Sequence, residues 1–168
     1  MPTKTRTNYA PTIEAVTGIL ENYAQRAVFR GFSAHPQRGG KATYKLLWHH
    51  DRPFELLLDI PKKTLHFPVL LPGIPARSEM YRELRAFVKE RQSAEMPEHR
   101  RVNPARARMS LANSGGVVSL TFTVRKGDFD YAARKIIHIV HEVYMVFLLD
   151  GPYFEYMVER LGLDPDRY

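Results

Sequence analysis

The chain contains no cysteine. That absence removes disulfides, thiolate zinc sites, iron–sulfur clusters and cysteine nucleophiles from consideration. Long hydrophobic runs are lacking too. The longest uninterrupted apolar stretch is Val143 to Leu149, closed by Glu142 on one side and Asp150 on the other, and it is too short to span a bilayer. The opening segment, MPTKTRTNYAPT, is polar and has no apolar core of the kind a secretory signal needs. These features predict a cytoplasmic protein with no membrane partner. Internal repeats and low-complexity tracts are absent.

What is present suits a single globular domain. The chain has 168 residues, 44% of them apolar, enough to bury a real core. Net charge is +7, and it is uneven. Residues 1–50 carry seven Lys/Arg against two Asp/Glu, whereas residues 151–168 carry two against four. A basic front and an acidic tail can attract an acidic partner, or each other across a dimer.

The hydrophobic pattern predicts the order α-β-β-β-α-β-β-α-α. Residues 1–11 read as a flexible arm, and 12–168 as one domain. Ile13, Val16, Ile19, Leu20, Tyr23 and Ala27 form a helical stripe over about 12–30, with Thr12 able to cap it and Gly31 able to end it. Pro36 and the Gly39–Gly40 pair then predict a loop. Three strands follow, in TYKLLWHH, FELLLDI and TLHFPVLL, each with apolar residues at every second position. Pro68 cannot donate to a ladder, so the third of these is expected at an edge or irregularly paired. A helix over about 77–93 precedes a hairpin built on the turn NSGG. The last long helix starts after Asp128 as N-cap and runs to about Leu149, and a short helix, 152–161, ends at Gly162. Period-two strands with one apolar face, joined by short turns, predict an α+β fold: an antiparallel sheet of about five strands with helices packed on one face.

Candidate chemistry is sparse. In IIHIVHEVYM, His138 and His141 share a flank of a helix and Glu142 lies four beyond His138, a spacing that can hold a divalent metal. The order is His-x-x-His-Glu, which matches neither His-Glu-x-x-His nor His-x-x-Glu-His. A site there needs a third ligand such as His49, His50, Asp51 or His66. The reading preferred for His138 and His141 is hydrogen bonding to neighbours, and for Trp48, His50 and Arg52 a surface cluster at a strand end. RGGK at 38–41 lacks both the leading glycine and the Ser/Thr of a phosphate loop and precedes a strand. Glu55 and Asp59 are about 13 Å apart along one strand, too far for a paired acid and base. No catalytic set and no cofactor are predicted. Cations that could neutralise phosphates are Arg100, Arg101, Arg106 and Arg108 near the hairpin, and Lys62 and Lys63 in a turn.

The segments LPGIPARSEMYRELRAFVKERQ and ARMSLANSGGVVSLTFTVRKGDFDYAARKIIHIVHEVYMVF, a helix before a glycine-turn hairpin and then a long helix with an acidic start, resemble type III secretion chaperones and the related YbjN-like proteins. The likeness covers the layout of about residues 12–150. It implies a non-enzymatic homodimer that holds a partner polypeptide, with no catalytic residue to carry over. The leading expectation is therefore a protein-binding, chaperone-like or adaptor domain. The alternatives are a basic nucleic-acid-binding module and a metal-dependent enzyme using the helical histidines.

Overall fold

The computed structural model describes residues 8–164 and 166 of the chain. Its architecture is α+β. Helix α1 (Ala10–Gln25) is followed by four strands, β1 (Arg30–Gln37), β2 (Lys41–Trp48), β3 (Arg52–Asp59) and β4 (Thr64–Leu71). Helix α2 (Glu79–Glu90) leads to the hairpin β5 (Ala107–Ser114) and β6 (Val117–Val124), then to α3 (Phe129–Glu142). All strands are antiparallel, in one six-stranded sheet of order β1-β2-β3-β4-β6-β5.

Register explains why only one face is covered. An inward row crosses the whole sheet: Pro36, Ala42, Leu58, Leu65, Phe122 and Met109 are successive partners. One residue along, the outward row is His35, Thr43, Leu57, His66, Thr121 and Ser110. Side chains alternate between faces, so the apolar row demands cover and the hydroxyl-rich row does not. The inward side chains are packed by Val16 and Leu20 of α1, Leu84 and Val88 of α2, and Ile136, Ile139 and Val140 of α3, all inaccessible or nearly so.

Six strands replace the five expected. The segment expected as a loop is β1, and it tolerates the two features that argued against it. Pro36 sits on an edge strand, where a missing N–H is harmless, and Gly39 and Gly40 make the turn into β2 with φ of 76° each. Helix α1 begins two residues before Thr12 and ends at Gln25, well short of residue 30. Ala27 takes the left-handed turn (φ 59°), and Gly31 (φ 61°) serves instead at the irregularity in β1 between Arg30 and Ser33. Of the expected arm, residues 1–7 lie outside the described residues, and Ala10 and Pro11 belong to the first turn of α1.

The other elements fall close to expectation. Ser78 caps α2 by accepting from Tyr81 N at 3.2 Å. Asp128 stands at the N-cap of α3, but its carboxylate is held by Arg106 at 2.6 Å and caps nothing. The β5–β6 loop is two residues, Gly115 and Gly116, both with positive φ, the type I′ geometry that suits strand twist. Strand β4 is internal, yet Pro68 does disturb it. Pairing with β3 stops at Leu57–His66, and pairing with β6 shifts register between Phe67 and Leu71. Beyond Glu142 the long helix widens into π winding over Val143–Leu149, and a second π turn, Tyr156–Arg160, replaces the expected 152–161 helix. That last segment closes the core with Met157 and Leu163 and leaves Phe154 and Val158 exposed.

Gly18 lies mid-helix in α1 with open space where a Cβ would stand. Gly18→Ala is expected to add about 0.5–1 kcal/mol by restricting the unfolded chain, raising the melting temperature by about 2–4 °C for a chain of this size. Calorimetry on the two proteins checks this.

Candidate functional site

His138 lies beside Glu142, but His141 does not share that site. Glu142 is buried and faces two guanidinium groups. Arg100 Nε donates to its Oε1 at 3.2 Å and Arg91 Nη2 to its Oε2 at 3.4 Å. Burial pushes the Glu142 carboxyl up, but the Arg100 hydrogen bond and the charges of Arg100, Arg91 and His138 outweigh it, and the net shift is downward. His138 Nε2 stands 3.3 Å from the same carboxylate, outside hydrogen-bonding geometry. Burial lowers its pKa despite the pull of Glu142. Arg91 also lies over the Phe87 ring at 3.9 Å. The carboxylate that a metal would need is thus committed to fixing the end of α2 and the following segment to α3. Among the described residues no group of three His, Asp or Glu is placed to hold a metal ion.

His141 turns the other way, toward His49, with ring centroids 6.4 Å apart. His49 is the unexpected residue. Its ring lies parallel to Tyr144 at 4.0 Å and stacks on Trp48 at 4.7 Å. Trp48 is buried, not part of a surface cluster, while His50 is exposed. The turn that carries them is strained: His49, His50 and Asp51 all have positive φ, at 50°, 63° and 60°. Non-glycine residues seldom occupy that region. Contacts that hold the turn include the His49 stack, a paired hydrogen bond from Arg30 to Asp51, and Asp164 N at 3.4 Å from His50 Nδ1. The π winding of the long helix brings Tyr144 to the same place. Its hydroxyl donates to Leu70 O at 3.0 Å and accepts from Arg52 Nη1 at 3.0 Å, bridging the gap that Pro68 opens between β3 and β4. His66, the other histidine considered as a ligand, is far along the outward face, hydrogen-bonded to Thr121 Oγ1 at 2.8 Å.

The arginines and lysines read as phosphate ligands divide. Arg100 belongs to the Glu142 cluster. Arg101 is largely covered and stands 3.9 Å from Glu98. Arg106 pairs with Asp128 and lies 3.8 Å from the centre of the Tyr131 ring. Arg108, Lys62 and Lys63 are exposed and make no ion pair among the described residues. A surface groove of about 700 Å³ runs between α2 and β5, with Lys89, Gln92, Arg108 and Arg125 in its wall. Glu90 is its one carboxylate, and it holds no histidine. No helix among the described residues is long and apolar enough to cross a membrane.

Two predictions arise here. Removing one partner of a buried ion cluster strands the others, so Glu142→Ala is expected to cost about 3–5 kcal/mol in urea unfolding; a loss below about 1 kcal/mol would show that the arginines are not held by it. The second concerns acid. Burial, with smaller pushes from His141, Arg52 and His50, lowers the His49 pKa from 6.5 to about 3. Between those values the unfolded chain binds a proton that the folded one does not. Stability is therefore full above about pH 6.5 and falls by about 1.4 kcal/mol per unit as pH drops toward 3. His138 and His66, lowered by burial, act in the same sense. His49→Asn keeps a residue that accepts positive φ and removes the titration. Its unfolding free energy should fall less steeply between pH 6.5 and 4.5, and an unchanged slope would assign the acid sensitivity elsewhere.

No protein-family model matches the chain, and no curated protein or solved structure matches it either.

Proposed function

We propose that this is a non-enzymatic protein-binding module of the cytoplasm, chaperone-like or adaptor in action, that forms a homodimer through the β5 edge of its sheet. The observation that carries this reading is the edge of β5 beyond Met109, which no proline or irregularity blunts. Met109 N donates to Gln92 Oε1 at 3.1 Å, away from β6. Backbone direction alternates along a strand, so Leu111 and Asn113 also aim their N–H groups outward. The two-residue turn gives the same parity, because it makes Ser114 and Val117 the pair that exchanges hydrogen bonds. The opposite edge, β1, is blunted by Pro36 and by its irregularity at Gly31, devices that prevent strand addition. Strand β5 carries neither.

A second copy fits this edge in an antiparallel register that sets Leu111 opposite Asn113 of the copy. Both outward N–H groups then find carbonyls, and Met109 keeps its bond to Gln92. Ala112 meets itself on the twofold axis, Ser110 meets Ser114, and Arg108 is opposed by no like charge, so no cross-strand repulsion arises. The order of α2, the β5–β6 hairpin and α3, which resembles that of secretion chaperones and YbjN-like proteins, supports the same class of function. So do the exposed apolar side chains at the far end of the sheet, Val69, Val117, Phe154 and Val158, which offer contact area for a held polypeptide.

Light scattering on a sizing column is expected to give a dimer at high micromolar concentration. Leu111→Pro removes an outward N–H without touching the ladder to β6 and should yield a monomer that still unfolds cooperatively. A wild-type protein that stays monomeric at that concentration would defeat the dimer, and a Leu111→Pro dimer would move the interface off this edge.

A further inference from the structure

The sheet has two ends, and they differ in charge. At one end lie the β1–β2 turn, the β3–β4 turn, the exit from β6 and the entry to β5. Their side chains include eight cations against two acids, Asp59 and Asp128, and Glu90 of the groove beside Arg108 and Arg125 is paired with Arg91 at 3.7 Å. Both acids are already met, Asp59 by Lys41 at 3.9 Å and Asp128 by Arg106. The remaining six, Arg38, Lys62, Lys63, Arg108, Arg125 and Lys126, are exposed and make no ion pair among the described residues. They come from four separate stretches of sequence, which the strand order places side by side. With strands about 4.8 Å apart, the line they form is about 24 Å long.

This line is built firmly. Ile60 N donates to Gly40 O at 2.9 Å, Val124 N to Lys63 O at 2.7 Å and Arg125 N to Arg106 O at 2.9 Å, so each turn is tied to its neighbour by backbone. Two of its lysines also sit where lysine is uncomfortable. Lys63 has φ 59° and Lys126 φ 55°, positions better suited to Gly or Asn. Left-handed backbone at non-glycine residues clusters at functional sites.

We propose that this basic rim docks on the phosphate backbone of a nucleic-acid duplex, without reading sequence. A duplex carries one charge per about 1.7 Å, so the rim spans about seven base pairs. A single strand gains most from stacking on exposed aromatic rings, and the ring that reaches the rim among the described residues, Tyr9, is half-buried against Gly40. An anionic membrane would want apolar side chains to insert. The large exposed apolar side chains, Val69, Val117, Phe154 and Val158, all stand toward the other end.

The test uses the full chain and labelled duplex DNA, duplex RNA, single-stranded DNA and phosphatidylserine vesicles, by anisotropy and co-sedimentation across a salt series. Duplex binding is expected, with log K falling against log salt at a slope of about −4 to −5, as for about five neutralised phosphates. Lys62→Gln/Lys63→Asn should weaken it and make the slope shallower by about 2, while the melting temperature rises, because Asn accepts the left-handed backbone. A purely structural lysine would not couple gained stability to lost binding. Arg77→Gln/Arg82→Gln removes equal charge near the start of α2, away from the rim, and should leave binding unchanged. Preference for single strands, binding to vesicles alone, a salt-insensitive interaction, or equal weakening by both double variants would each overturn the assignment. Preference between DNA and RNA duplexes identifies which source of phosphates is used.

Discussion

Tyr44, Leu56, Leu58, Phe67, Leu120 and Phe122 line one face of the sheet with essentially no exposure, and the rest of the molecule is arranged by the need to cover them. At about 25 cal/mol per Å² of apolar surface, no other interaction in the chain approaches what this face contributes. The opposite face, with Thr43, His66, Ser110 and Thr121 in one row, makes no such demand. Helices α1, α2 and α3 therefore share one side. Every connection crosses an end of the sheet, so the two ends collect the turns and the side chains that turns carry.

Where that face is imperfect, polar contacts repair it. Pro68 prevents β4 from pairing regularly on either side. Tyr144 reaches the resulting gap from the π-wound end of the long helix, donating to Leu70 O and accepting from Arg52. An extra residue in a helical turn re-aims the side chains after it, and here it turns Tyr144 toward both the gap and the His49 ring. The strained His49–Asp51 turn, Arg52 and the widened helix are thus one coupled assembly. Glu142 plays a similar part at the other side of α3, holding Arg91 and Arg100 where apolar packing alone would leave the long connection before β5 unanchored.

Much of this was readable from periodicity. The alternation in β2, β3, β5 and β6 specifies both strand and face, and the stripe of α3 specifies its buried side. Strand β1 was not legible, because an edge strand can carry the proline and glycines that elsewhere mark a loop. The charged sites were the least legible. Arg100 looks like a phosphate ligand in sequence and is one of two arginines on the buried Glu142 carboxylate, because Glu142 is far away in the chain and close in space. Arg125 and Lys126 attract no notice as isolated cations, yet the sheet order brings them into line with Arg38, Lys62, Lys63 and Arg108. His49 gave one usable signal, its place beside Trp48 at the end of an apolar strand, but the partner that buries it, Tyr144, comes from the far end of the chain.

The same topology separates the chain's charges and its exposed apolar groups. Strands of eight residues are about 25 Å long, which holds the basic rim away from the end where the acidic C-terminal segment docks. That segment is anchored by Tyr156 on Pro72 O and by Met157 in the core, and it carries Glu155, Glu159 and Asp164 to the apolar end. A molecule so divided has a strong dipole, and one end is kept from competing for the ligands of the other. The two proposed contacts, charge attraction at the rim and strand addition at the middle of β5, would therefore act on one chain without interference. Arg108 is the residue where they come nearest, because it lies on the rim and on the edge strand together. In the proposed dimer register, which pairs Leu111 with Asn113, Arg108 falls beyond the paired residues, so dimerisation there would leave it free to extend the rim.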